Sequence, residues 1–206
     1  MSIPAVRLDR PASGTLLDLV SGRADVSAAI RAAAVLFVTV LTIVAAQVSV
    51  PLPFTPVPFT LQPMVVLLGG AALGARLGMS AQVLYLALGI AGLPVFAASP
   101  ILPQGFARLL GPTGGYLMSY PLAAFVTGYL AQRGLDRRYV TSVGAMAAGL
   151  AIIFTCGVLW LAFGAHVGLA GAVRTGLIPF IPADIIKVLL AAAILPAAWK
   201  FLGSHR

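Results

Sequence analysis

From about residue 28 to the C-terminus the chain alternates apolar runs with short connectors that are polar or rich in Pro and Gly. The apolar runs cover about 28–50, 61–75, 77–98, 113–131, 141–163 and 183–202. As helices they rise about 1.5 Å per residue, against a hydrocarbon core of about 30 Å. The second run, about 22 Å long on that measure, crosses only with help from its flanks. The pattern predicts an all-α fold: a polytopic membrane helix bundle of six transmembrane helices, with both termini on the same side. Residues 1–27 are mixed and polar, with no apolar stretch long enough for a signal-peptide core. They read as an N-terminal arm with a short interfacial helix around 15–21, and residues 28–206 read as one six-helix membrane domain.

Composition strengthens this picture. Of 206 residues, 60% are hydrophobic and only 9% charged, and the mean hydropathy is +1.04. Soluble domains carry about 25% charged residues, so a water-soluble globule is excluded. The length leaves no room for a sizeable soluble domain. The net charge of +8 does not point to nucleic acid, because the basic residues are spread through the connectors. On one side lie Arg7, Arg10, Arg23, Arg31, Arg76, Arg133, Arg137, Arg138, Lys200 and Arg206, ten of the 13 basic residues. The opposite side holds Arg108 and Arg174, and Lys187 sits inside the sixth run. The positive-inside rule therefore places both termini in the cytoplasm. Trp199 beside Lys200 fits an anchor at the inner face.

Absences narrow the chemistry. The chain has no Glu and no Asn, five Asp and two His, His166 and His205. A metal site built from clustered His, Asp and Glu cannot be assembled from these. There is no phosphate-binding loop of the G-x-x-x-x-G-K-[ST] type, so the chain is not expected to hydrolyse ATP. The single Cys156 reads as a small buried apolar residue.

The outer connectors are long. One contains a tandem repeat, Pro51-Leu-Pro-Phe-Thr55 followed by Pro56-Val-Pro-Phe-Thr60, which favours extended backbone. Another runs from Gly92-Leu-Pro-Val-Phe96 to Gly111-Pro-Thr-Gly-Gly-Tyr116, and the last from about His166 to Pro182. They suggest a lid over a pocket opening outward. The Gly111–Gly115 stretch lacks the Lys of a phosphate loop and reads as a tight turn opening the fourth helix.

Asp184 and Lys187 are the sharpest candidates for chemistry. They stand three apart, on one helical face, at the head of an apolar helix. Charges inside membrane helices face the bundle interior and are functional by default. The competing reading makes Asp184 a helix cap with a local ion pair. Thr60 and Gln62 open the short second helix, either to contact a small polar ligand or to join neighbouring helices. Tyr85 and Tyr116 offer a hydroxyl and a stacking face, or simply packing. Arg108 either attracts an anionic tail or is a solvated loop charge. Gly70, Gly74 and Gly78 form a small-residue ladder suited to packing within the chain. Ala28, Ala29, Ala32 and Ala33 form a second one at the cytoplasmic end of the first helix, where another membrane subunit could dock.

Four segments together carry a family resemblance: Pro58-Phe-Thr-Leu-Gln62, Gly92-Leu-Pro-Val-Phe96, Gly111-Pro-Thr-Gly-Gly-Tyr116 and Pro179-Phe-Ile-Pro-Ala-Asp-Ile-Ile-Lys187. The chain resembles the biotin-binding S-components of energy-coupling factor (ECF) transporters, the BioY family. The resemblance implies a multi-pass subunit of the bacterial cytoplasmic membrane that captures biotin from outside with high affinity. It implies a transmembrane T-component and two ABC ATPases as partners, and no cofactor. The family's acid and lysine at the head of the last helix match Asp184 and Lys187. Small residues on the first helix, here Ala28, Ala29, Ala32 and Ala33, would face the T-component. After Phe96 the resemblance leads one to expect a Gly-rich or amide-bearing run. This chain has Ala97-Ala-Ser-Pro-Ile-Leu-Pro-Gln104 instead, so Ser99 or Gln104 would substitute. Biotin's two ureido N–H donors suit Asp184, and its ureido carbonyl suits Lys187, Gln62 or a Tyr hydroxyl. Its anionic valerate suits Arg108, or Lys187 in the reverse orientation.

Two other classes compete. A membrane-embedded enzyme would need paired acids or an activated nucleophile, and only one acid, Asp184, lies in an apolar helix. The other is a ligand-free assembly subunit.

Overall fold

The computed structural model describes residues 14–21, 27–99 and 102–203. The rest of the N-terminal arm, with Arg7, Arg10 and Arg23, lies outside them, as does Arg206. Each predicted apolar run forms a helix. In chain order these are α2 (Ala28–Gln47), α3 (Gln62–Leu73), α4 (Ala75–Ile90), α6 (Gly114–Gln132), α7 (Tyr139–Leu159) and α9 (Ile181–Gly203). Shorter elements join them: α1 (Leu16–Ser21), α5 (Ala107–Leu110), α8 (Leu169–Gly176) and the strands β1 (Ser49–Val50) and β2 (Phe59–Thr60).

Local chemistry sets the boundaries. The Thr15 amide and hydroxyl both donate to Asp18 Oδ2, at 2.8 and 2.9 Å, which closes the first turn of α1. Ser27 caps α2 by accepting from the Ile30 amide. The strands pair antiparallel, Ser49 with Thr60 and Val50 with Phe59, so the proline repeat is pinched into a hairpin-like flap. A single residue, Gly74 at φ +85°, separates α3 from α4. That left-handed backbone is open to glycine at little cost. The sequence pattern carried the third run to about residue 98, but α4 ends at Ile90. Gly92 at φ +94° and Pro94 stop it, because neither continues a helix although their neighbours are apolar. At its C-terminal end α7 widens into one π-helical turn, Trp160–Gly164.

α6 packs against α3, α4 and α7, while α2 covers α3 and α4, and α9 lies on α7 and α3. The glycine ladder is the seam. A Cβ on Gly70 would stand 2.5 Å from the Ala124 carbonyl oxygen, and one on Gly78 would stand 2.6 Å from the Gly70 Cα. Backbones meet there where no side chain fits, as expected of small residues between membrane helices. Outward faces are apolar, with Leu36, Phe37, Val40 and Val44 exposed on α2 and Ile185, Ile186, Leu190 and Ile194 on α9. Three helical stretches are long and apolar enough to cross a membrane: Ala28–Gln47, Tyr139–Gly164 and Ile181–Phe201. The fold is mostly helical and its apolar exterior is that of a membrane protein.

At the end of the bundle that carries the α6–α7 turn, Asp136 is 1% exposed. Trp199 Nε1 donates to its Oδ2 at 2.6 Å. The Arg137 guanidinium lies 3.8 Å from the Trp199 ring centroid. Trp199, read from sequence as an interfacial anchor, thus also ties α9 to the α6–α7 turn. Burial raises the Asp136 pKa, and the Trp199 hydrogen bond and the Arg137 charge pull against that rise.

Candidate functional site

At the opposite end, the flap, the α4–α5 connector and the heads of α6 and α9 converge. They enclose two adjoining cavities of about 30 and 40 Å³. Val57, Pro58, Thr60, Tyr116 and Tyr120 line both. The first is completed by groups that include Gln62, Ala97, Arg108 and Thr113, the second by groups that include Phe180, Asp184 and Lys187.

The second cavity holds the charge pair. Lys187 Nζ donates to Asp184 Oδ1 at 2.7 Å and to the Thr60 carbonyl at 2.7 Å. It also lies 3.7 Å from the Phe59 ring centroid, a favourable place for a cation. Phe59 stacks in turn on Phe180, with centroids 6.4 Å apart. The Lys187 and Asp184 side chains are 9% and 5% exposed, so the charges are compensated within the protein. Asp184 Oδ2 has no protein donor among the described residues and remains able to accept. The carboxylate bonds Lys187 and no backbone amide among the described residues, so of the competing reading the local ion pair is present and the cap is not.

Arg108 dominates the first cavity. It is 1% exposed, which corrects the reading of a solvated loop charge. Its Nη2 donates to the Ala97 carbonyl at 2.7 Å, and its Nη1 to the Leu102 and Pro103 carbonyls at 3.3 and 3.4 Å. All these acceptors are neutral. Its Nε and the Thr113 hydroxyl, both buried, have no hydrogen-bond partner among the described residues. Burial draws the Arg108 pKa below the ordinary guanidinium value, yet a guanidinium stays charged in proteins. The site therefore has one end whose charges are paired and one whose positive charge lacks an anion among the groups it bonds.

The tyrosines divide the remaining work. Tyr116 donates to the Gly176 carbonyl at 2.8 Å and so fastens α8 over the site. Gln62 Nε2 donates to the Tyr85 hydroxyl at 2.6 Å, and Tyr85 donates to the Val95 carbonyl at 3.4 Å. Tyr85 supports Gln62 from behind and is absent from the lining of either cavity. Gln62 also accepts from the Thr60 hydroxyl, at 3.4 Å.

Sequence reasoning missed Tyr120 and Thr113. Tyr120 lies one turn beyond Tyr116 on α6, a spacing that signals a shared face. Thr113 was visible only as part of a turn. Ser99 and Gln104, expected to supply a polar contact, are in neither lining. The Ser99 hydroxyl accepts from the Leu102 amide at 3.2 Å, and Gln104 Nε2 donates to the Phe96 carbonyl at 3.5 Å. The α4–α5 connector instead presents the Ala97 carbonyl to Arg108. Ala28, Ala29, Ala32 and Ala33 are all exposed on α2, far along the chain fold from this site.

The BioY family model matches residues 19–204. The "Biotin transporter BioY" of Thermotoga maritima is 42% identical over 159 residues, 76% of this chain and 88% of that protein. The "Probable biotin transporter BioY" of Pyrococcus horikoshii is 41% identical over 157 residues, 75% of this chain and 86% of that protein. Among solved structures, the S-component for biotin from an ECF-type ABC transporter superposes with a TM-score of 0.75 at 26% identity, covering 85% of this chain and 95% of that one.

Proposed function

The chain belongs to the BioY family, and from that premise we propose that it captures biotin at the outer face of the bacterial cytoplasmic membrane as the S-component of an ECF transporter. It is a transport subunit and not an enzyme. The observation that carries the reading is the pairing of a compensated polar end, Asp184 with Lys187, and an uncompensated cationic end, Arg108, across cavities walled by Tyr116 and Tyr120.

Biotin has matching ends. Its ureido N–H groups donate to Asp184, and its ureido carbonyl accepts from Lys187. The thioether ring lies against Tyr116, Tyr120 and Phe180. The valerate carboxylate meets Arg108 Nε and the Thr113 hydroxyl, where a carboxylate gains most from a guanidinium. The reverse orientation is disfavoured, because Lys187 is already neutralised by Asp184 and Arg108 is not neutralised by its carbonyl partners. Gln62 and Thr60 keep Lys187 and the flap in place, and Tyr85 holds Gln62. Small-molecule pockets commonly measure about 300–1,000 Å³, far more than these two cavities, so biotin enters as the flap and the α4–α5 connector draw back.

The six apolar helices span the membrane and both termini lie in the cytoplasm. The distribution of Arg and Lys supports this, and in that orientation the site lies at the outward end. A transmembrane T-component docks on the exposed Ala28, Ala29, Ala32 and Ala33 face, and two ABC ATPases drive release inward. The experiment is uptake of radiolabelled biotin by a biotin-auxotrophic host expressing the chain with or without a T-component and ATPases. Efficient uptake that needs all the partners is expected, and no uptake with the full set contradicts the proposal. A reporter fused to the C-terminus is expected to be active only in the cytoplasm, and a periplasmic signal overturns the topology.

A further inference from the structure

Of the residues that line both cavities of the site, Thr60, Tyr116 and Tyr120 carry a hydroxyl. Two of these hydroxyls are engaged within the protein. Thr60 Oγ1 donates to Gln62 Oε1 at 3.4 Å and accepts from the Gln62 amide at 3.3 Å. The Tyr116 hydroxyl donates to the Gly176 carbonyl at 2.8 Å. The Tyr120 hydroxyl has no hydrogen-bond partner among the described residues, although Tyr120 is 4% exposed and a buried tyrosine hydroxyl usually finds one. The ring that carries it is held. It stacks on Tyr85, with centroids 6.4 Å and planes 28° apart, and Tyr85 is itself bonded to Gln62 and to the Val95 carbonyl. The Thr113 hydroxyl, also without a partner among the described residues, lines the Arg108 cavity and not the Asp184 one. Tyr120 therefore brings an unused donor to the wall that the two cavities share.

We propose that the Tyr120 hydroxyl donates to an oxygen carried on the ligand's ring sulfur, so that the site captures biotin sulfoxide as well as biotin. This rests on the biotin pose proposed above, with the ureido ring at Asp184 and the valerate at Arg108. The sulfur-bearing ring then falls between those ends, against the shared wall. A thioether sulfur is a weak acceptor, so biotin itself leaves the hydroxyl poorly satisfied, whereas a sulfoxide oxygen is a strong acceptor. Oxidation of a thioether to a sulfoxide also makes the sulfur chiral. The oxygen projects from one face of the ring or the other, and a single donor serves one epimer. Thr60 and Tyr116 are no substitutes, because their hydroxyls are spent on Gln62 and on the Gly176 carbonyl. Without Tyr120 the sulfoxide oxygen is buried with no donor, which is the costly way to lose a hydrogen bond.

The test is equilibrium competition against radiolabelled biotin on the purified full chain, with unlabelled biotin and the two separated biotin sulfoxide epimers as competitors. The wild type is expected to bind one epimer within about tenfold of biotin, and the other at least about tenfold more weakly than the first. Y120F keeps the ring and removes its oxygen, and it is expected to bring the two epimers within about threefold of each other. The readout is a ratio within one protein, so a general weakening of the site does not move it. If Y120F does not fold, the wild-type epimer ratio decides the matter alone. Epimers that differ by less than that tenfold in the wild type overturn the proposal, as does an epimer ratio that survives in Y120F. Folded wild type that binds no biotin refutes the pose on which the proposal rests. Binding of biotin with neither epimer within tenfold of it refutes this proposal and leaves the capture of biotin standing.

Discussion

Replacing Asp184 with Asn exchanges one carboxylate oxygen for an amide nitrogen at a residue that is 3% exposed. In the wild type Oδ1 is taken by Lys187 Nζ at 2.7 Å, which leaves Oδ2 for a ureido N–H. A hydrogen bond to a charged partner contributes about 1.5–3 kcal/mol, and one between neutral groups about 0.5–1.5 kcal/mol. Losing the charge alone therefore costs about 1–1.5 kcal/mol. The amide must also keep its oxygen on Lys187, so its NH2 faces the ligand's N–H groups, donor against donor. Lys187 loses its counter-ion as well, and uncompensated buried charge is expensive. The sum exceeds about 1.4 kcal/mol, which is one decade in Kd. Equilibrium binding of radiolabelled biotin to the purified variant is expected to show at least a tenfold weaker Kd, together with a lower Tm. A second arm isolates the contact. A biotin analogue methylated on one ureido nitrogen is expected to cost the wild type more than it costs Asp184→Asn, a coupling of about 1 kcal/mol or more in the double cycle. A purely structural ion pair predicts a lower Tm with Kd unchanged for both ligands, and that result refutes the reasoning.

Arg108→Gln removes the cation expected to meet the valerate. It should weaken biotin binding at least tenfold while hardly changing the affinity for biotin methyl ester, and equal losses for both ligands would place the carboxylate elsewhere. Ala29→Trp or Ala33→Trp, on the exposed face of α2, should abolish co-purification with the T-component and leave biotin affinity intact; loss of binding with assembly preserved would make the stripe a packing seam. The Asp136 pKa is raised by burial above its usual 3.8, so its protonated form is favoured in the folded state. Its contribution to stability is full below the unfolded value and is lost as pH rises through the higher folded one. The Tm difference between wild type and Asp136→Asn should therefore move against the wild type as pH rises from about 4; the opposite slope would mean that Trp199 and Arg137 outweigh burial.

Hydropathy located the helices because lipid-facing and core-facing positions are both apolar, so run length alone marks an element. The same uniformity hid where α4 stops. Ala91 to Phe96 is as apolar as a helix, and only Gly92 and Pro94 betray the change. The π-helical turn at Trp160–Gly164 left no mark in the pattern, since it shifts hydrogen bonds without changing composition. Asp184 and Lys187 were legible because charge is rare in this chain and three-residue spacing fixes a shared face. Arg108 was legible as a candidate but not as a buried one. Its burial depends on the α4–α5 connector wrapping the Ala97, Leu102 and Pro103 carbonyls around it, a long-range arrangement. Tyr120 was obscured for the opposite reason, because one more aromatic in a membrane helix reads as packing until the fold shows what its ring faces.

This single chain is expected to bind biotin through its own side chains. Equilibrium dialysis of radiolabelled biotin against the purified full-length protein, without nucleotide or partner subunits, tests it directly. Saturable 1:1 binding that excess unlabelled biotin displaces, with no ATP hydrolysis, is expected. Absence of saturable binding by protein that remains folded would contradict it.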